Sequence, residues 1–135
     1  MIIPILQHER NLMMISITWS NRGFTVNSDG AYHPPEGASQ SPMDILCESL
    51  GLCVAVTLVK LLDEAGKESD GLKVEVDPHK AKVGAPRVEN MEVSVDFPGD
   101  VSVEAKERLL LHASRLCTIG NTLKRGSEIQ YNIKT

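Results

Sequence analysis

The sequence predicts a single α+β domain over residues 1–135, a mostly antiparallel sheet with two main helices on one of its faces. Three observations lead there. A long apolar stretch from Ser41 to Gly66 carries stop signals at both ends, several shorter stretches alternate apolar and polar residues, and an amphipathic stretch follows Ser102. Their order is hairpin, helix, two strands, helix, closing strand.

Residues 1–11 show no clear period and Pro4 breaks their one apolar run, so a mobile lead-in or an edge extension is expected. From Leu12 the pattern alternates. Ile15, Ile17 and Trp19 share a face, Ser20 to Gly23 supply turn chemistry, and Phe24 and Val26 share a face again, which predicts a β-hairpin. Ser28, Asp29 and Gly30 turn the chain before a short segment at Ala31 to His33, and residues 34–40 form a loop.

Ser41 can cap the central helix, Pro42 suits its first position, and Asp44 stands where a capping-box carboxylate reaches back. Gly66 suits the left-handed conformation that ends it. A stretch of about 24 residues between caps is far too long for a strand of roughly 5–6 residues, which outweighs the β-branched Val54, Val56, Thr57 and Val59. From Leu50 to Leu62 only Gly51, Thr57 and Lys60 interrupt apolar side chains, so this helix is apolar nearly all round and belongs in the centre of a fold. One sheet face and one amphipathic helix cannot cover it on every side. An obligate homodimer that buries the central helices together is therefore expected.

Beyond Gly66, Leu72, Val74 and Val76 alternate in a strand expected to end at Asp77 and Pro78. A loop with Gly84 and Pro86 leads to a strand over Arg87 to Phe97, with Met91, Val93, Val95 and Phe97 on one face. Ser102 caps a second helix whose stripe is Leu109, Ala113, Leu116 and Cys117. Thr118 to Gly126 read as a short turn or helical bend, and Ile129, Tyr131 and Ile133 alternate in a closing strand.

Composition narrows the function. A net charge of −4 gives no electrostatic reason to expect nucleic acid or an anionic membrane as partner, and 4% aromatic residues leave little base-stacking surface. The central stretch is too short in uninterrupted apolar length, and Lys60 too central, for a membrane span. The N-terminal apolar patch is too short for a secretory segment, so the expected compartment is the cytoplasm. Cys47, Cys53 and Cys117 are an odd number without a C-x-x-C pair, which argues against a disulfide framework and a structural zinc site. His8, His33, His79 and His112 have no ligand-like spacing, and no P-loop, dinucleotide fingerprint or G-x-S-x-G occurs. No metal or cofactor is expected.

The constellation with chemistry in it is Cys53 and Cys117, 64 residues apart, one inside the central helix and one at the end of an amphipathic helix. As residue types they suit the core equally well. A thiolate at neutral pH needs a cation or a helix N-terminus, and neither adjoins Cys53 locally, so it must come from Arg22, Arg87 or His33. Cys47 lies six residues before Cys53, about 240° round the helix, and reads as core filler.

Three segments resemble the OsmC/Ohr family, the osmotically inducible and organic hydroperoxide resistance proteins: I-S-I-T-W-S with F-T-V-N-S-D-G, then S-P-M-D-I-L-C-E-S-L-G-L-C-V-A-V-T-L, then A-S-R-L-C-T-I-G-N-T-L. The resemblance runs from about Met13 to Lys134. It implies an OsmC-like fold in an intertwined, swapped homodimer, with active sites at the subunit interface. It implies a peroxidatic Cys53, a resolving Cys117, an arginine from the hairpin (Arg22) and an acid near the helix start (Asp44). Met43 follows Pro42 where the family carries glutamate, Arg22 is one residue off the family's arginine, and Thr118 replaces a proline.

Two readings follow from the resemblance. One is a thiol-dependent peroxidase for organic hydroperoxides in an oxidative stress response, its disulfide reduced by a small or lipoyl-type thiol. The other is a non-enzymatic OsmC-like protein that binds a small hydrophobic ligand or senses redox state.

Overall fold

The computed structural model describes residues 15–28 and 41–134. Among the described residues seven elements follow one another: β1 (Ile15–Ser20), β2 (Gly23–Ser28), α1 (Pro42–Glu64), β3 (Lys73–Lys80), β4 (Val88–Asp96), α2 (Val103–Leu116) and α3 (Thr118–Arg125). The strands form one antiparallel sheet in the order β2-β1-β3-β4. The expected lead-in over residues 1–11 and the short segment at residues 31–33 lie outside the described residues.

The hairpin closes at Ser20↔Gly23, so Asn21 and Arg22 alone make the turn. Both are left-handed, with φ of 51° and 59°, as a two-residue turn that matches strand twist requires. Asparagine tolerates that region and arginine resists it. Arg22 is held there by its guanidinium, which lies 5.0 Å from the Trp19 ring centroid and 3.1 Å from Asp63 Oδ2. The Asn21 N–H donates to Asp70 Oδ1 at 2.6 Å. The hairpin tip is thus pinned to the far end of α1.

At its start, Ser41 Oγ accepts the Asp44 N–H at 3.0 Å and Pro42 opens the helix. At its end, Gly66 takes φ 69°; its N–H reaches Asp63 O and the Lys67 N–H reaches Leu62 O, which satisfies the last carbonyls. Between these caps Leu50, Val54, Leu58 and Leu62 bury against Ile15 and Ile17 of β1 and Val74 and Val76 of β3, with Leu72 completing the layer. Gly51 sets the depth of this contact. A Cβ there would stand 2.8 Å from Ile17 Cγ1 and 3.3 Å from Val76 Cγ2.

Three segments depart from the sequence expectation. Strand β3 runs on through Pro78 to Lys80, because Pro78 lies past the last described β1 pair, Ile15↔Val76, where a missing N–H disrupts no second ladder. Residues 118–125 are a full helix. The expected closing strand does not form among the described residues: residues 126–134 pair with none of the described strands, and Ile129, Tyr131 and Ile133 are 69%, 91% and 92% exposed. Alternation specifies a strand only where an edge and an apolar surface receive it, and among the described residues no strand pairs with this segment.

The Gly51 contact yields a prediction. Gly51→Ala gains about 1 kcal/mol of helix propensity but overpacks a buried branched side chain at a cost of about 1–3 kcal/mol, so denaturant unfolding is expected to show net destabilisation. Adding Ile17→Ala should recover part of that loss in a double-mutant cycle, and strict additivity would exclude the close contact as its cause.

Candidate functional site

The two sulfurs singled out in the sequence are neighbours. Cys53 is half-buried midway along α1. Cys117 is 1% exposed and occupies the single residue between α2 and α3. Its backbone does two jobs there. The Cys117 N–H closes α2 on Ala113 O at 3.0 Å, while Cys117 O accepts from Asn121 at 2.9 Å to start α3. Its Sγ takes the Gly120 N–H at 3.3 Å, as an N-cap side chain does. Burial first, and then a hydrogen bond with Cys53, push the Cys117 thiol above its ordinary range, opposed by the backbone N–H groups of Gly120 and Ile119. Both cysteines are free thiols.

Cys117 also lines a groove of about 820 Å³ bounded by α1, β4, α2 and α3. Its walls are apolar: Met43, Leu46, Leu50 and Val54 from α1, Met91 and Val93 from β4, Leu110 from α2 and Leu123 from α3. Its polar margin includes Arg87, Glu89, Asn90, Ser114 and Lys124. The apolar β4 face was visible in the sequence. The pairing of that face with one side of α1 around a sulfur was not, because it depends on how helix and sheet cross.

The other candidates sit elsewhere in the chain. Arg22 is bound to Asp63, ten residues and therefore about 15 Å along α1 from Cys53. The Ser69 hydroxyl and then Arg22 hold the Asp63 carboxyl below its ordinary range. Asp44 lies nine residues on the opposite side of Cys53, about 14 Å away along the same axis. It is buried at 6% exposure, and its Oδ1 has no hydrogen-bond partner among the described residues. One chain therefore brings Cys53 and Cys117 together without Arg22 or Asp44. Arg87 borders the groove and donates to Val83 O and Ala85 O at 3.2 and 3.0 Å. His33 and His8 lie outside the described residues.

Cys47 is fully buried, and desolvation, followed by the charges of Asp44 and Asp77, pushes its thiol up to about 11. A thiol so placed is not a nucleophile at neutral pH.

Comparison with known proteins matches a family model described as OsmC-like protein over residues 35–132. Among solved structures, the chain is similar to an OsmC-like hydroperoxide resistance protein from Jannaschia sp. CCS1, with a TM-score of 0.64 and 18% identity over 90% of this chain and 91% of that one. No curated protein sequence matches.

The buried Cys47 gives a pH prediction. Below pH 9.0 the thiol is protonated in both folded and unfolded chains and contributes nothing to the slope. Between about pH 9 and 11 the unfolded chain has released the proton and the folded chain has not, so stability falls by up to about 3 kcal/mol as pH rises. Denaturation midpoints across that window should fall less steeply for Cys47→Ala than for the parent; equal slopes would rule out this origin.

Proposed function

The chain belongs to the OsmC-like protein family, and on that footing we propose that it is a thiol-dependent peroxidase for organic hydroperoxides, with Cys53 peroxidatic and Cys117 resolving. The observation that carries this reading is the pair of neighbouring free thiols, with Cys117 on the wall of an apolar groove. An alkyl tail matches the groove's walls, and hydrogen peroxide would leave that surface unused.

In the proposed cycle the Cys53 thiolate attacks one peroxide oxygen. The O–O bond breaks, the departing alkoxide takes a proton and leaves as the alcohol, and Cys53 becomes a sulfenic acid. Cys117 sulfur then attacks Cys53 Sγ; the S–O bond breaks, hydroxide leaves as water with the Cys117 proton, and a disulfide remains. Two electrons from an external small or lipoyl-type dithiol restore both thiols. Arg87 and Lys124 on the groove margin are the cations this reading places beside the substrate, while Arg22 and Asp44 lie far along α1 from the thiols.

A second copy completes the proposal. On α1, Ile45 and Val56 are 53% and 52% exposed, and with Leu52 between them they form an uncovered apolar stripe on the same helix as Cys53. Leu111 and Leu116 of α2 and the alternating tail add further apolar surface. A homodimer burying these surfaces would provide the cover that α1 lacks and put the reaction at the subunit interface. The uncovered groove equally suits the non-enzymatic reading, in which a small hydrophobic ligand occupies it and the thiols stay inert; that neither Arg22 nor Arg87 is hydrogen-bonded to a sulfur favours it.

Thiol titration with intact-mass analysis separates the two. One equivalent of cumene hydroperoxide should consume two thiols and leave a Cys53–Cys117 link. Cys53→Ser should abolish turnover, and Cys117→Ser should accumulate sulfenic acid on Cys53. Reaction no faster than free cysteine would favour the ligand-binding reading. For the dimer, Val56→Glu is expected to shift the sedimenting species from two chains to one, since charge at that position is tolerated only where water reaches it. An unchanged dimer would place the interface elsewhere.

A further inference from the structure

The outer face of the sheet, turned away from the thiols, carries a side-chain cluster that the redox chemistry does not use. Asp77 and His79 are two residues apart on β3 and so project from the same face. Glu92 of β4 is the direct cross-strand partner of Asp77. A register irregularity at His79/Lys80, where β4 fits an extra residue between Asn90 and Val88, bends the ladder at this point.

His79 Nε2 lies 3.4 Å from Asp77 Oδ2 and 3.3 Å from Glu92 Oε1. The nitrogen is buried, yet it makes no hydrogen bond to either oxygen. One ligand atom from each of the three residues falls within 4.8 Å of the other two. Neighbouring donors about 2.0–2.1 Å from a tetrahedral ion stand about 3.3–3.4 Å apart, so both nitrogen–oxygen separations equal the edge of a zinc coordination shell. Imidazole with two carboxylates is also a donor set that suits a first-row divalent cation of the zinc class.

We infer that Asp77, His79 and Glu92 form a binding site for a zinc-class divalent cation, one ligand atom from each residue, with a fourth position open to solvent. The Glu92 side chain is 68% exposed, so the site is reached from water without opening the core. Nearby Glu75 is engaged by Ser16 Oγ at 3.4 Å and Lys73 Nζ at 3.9 Å and does not enter the set. The thiols are excluded because they lie on the helix side of the sheet.

The test is calorimetric titration of the tag-free, full-length chain with Zn²⁺, in a Cys53→Ser/Cys117→Ser background that removes thiolate binding. One equivalent per chain is expected. His79→Gln and Glu92→Gln should each weaken it at least tenfold while leaving the circular dichroism spectrum unchanged. Co²⁺ should give ligand-field bands without a thiolate charge-transfer band in the parent chain. An absence of Zn²⁺ binding, an affinity indifferent to both substitutions, or a cobalt spectrum dominated by thiolate would overturn the site and leave His79 as an imidazole between two carboxylates.

Discussion

The close approach of α1 to the sheet at Gly51 is the constraint on which the rest of the molecule depends. With no side chain there, the helix sinks until its neighbours Leu50 and Val54 meet β1 and β3, and Ile17 and Val76 fill the space a Cβ would need. That depth fixes where the opposite side of α1 stands, and so where Cys53 meets Cys117. Both ends of the helix are fastened independently, by Ser41 at one and by Gly66 with the pinned hairpin tip at the other. A helix held at three points cannot slide, and the proposed chemistry between the two thiols would need that rigidity.

The central helix was legible in the sequence because both its ends and its length are local signals; the hairpin was legible because Ser20 to Gly23 interrupt a clean alternation. The continuation of β3 through Pro78 was not, since whether a proline breaks a strand depends on which side of it another strand lies. Nor was the fate of Ile129 to Ile133, where the period is that of a strand but no described strand receives it.

The site divides the same way. Cys53 and Cys117 stood out by their positions on helices, and their adjacency accords with the family resemblance. Arg22 was drawn toward the sulfurs by its place in the hairpin, but in this chain Asp63 and the Trp19 ring claim its guanidinium. Asp77, His79 and Glu92 escaped notice because their nearness is a matter of strand register, and sequence spacing between β3 and β4 carries no trace of it.

Cys117 is a joint as well as a thiol. Its sulfur holds the first turn of α3 through Gly120, and an eight-residue helix has little of its own to stand on in water. A sulfur that turns to bond elsewhere must release that N–H. Oxidation at this residue would then be felt as loosening of α3 and of the tail beyond it, so that the chemical state of one atom is legible in the amide-exchange rates of a surface helix.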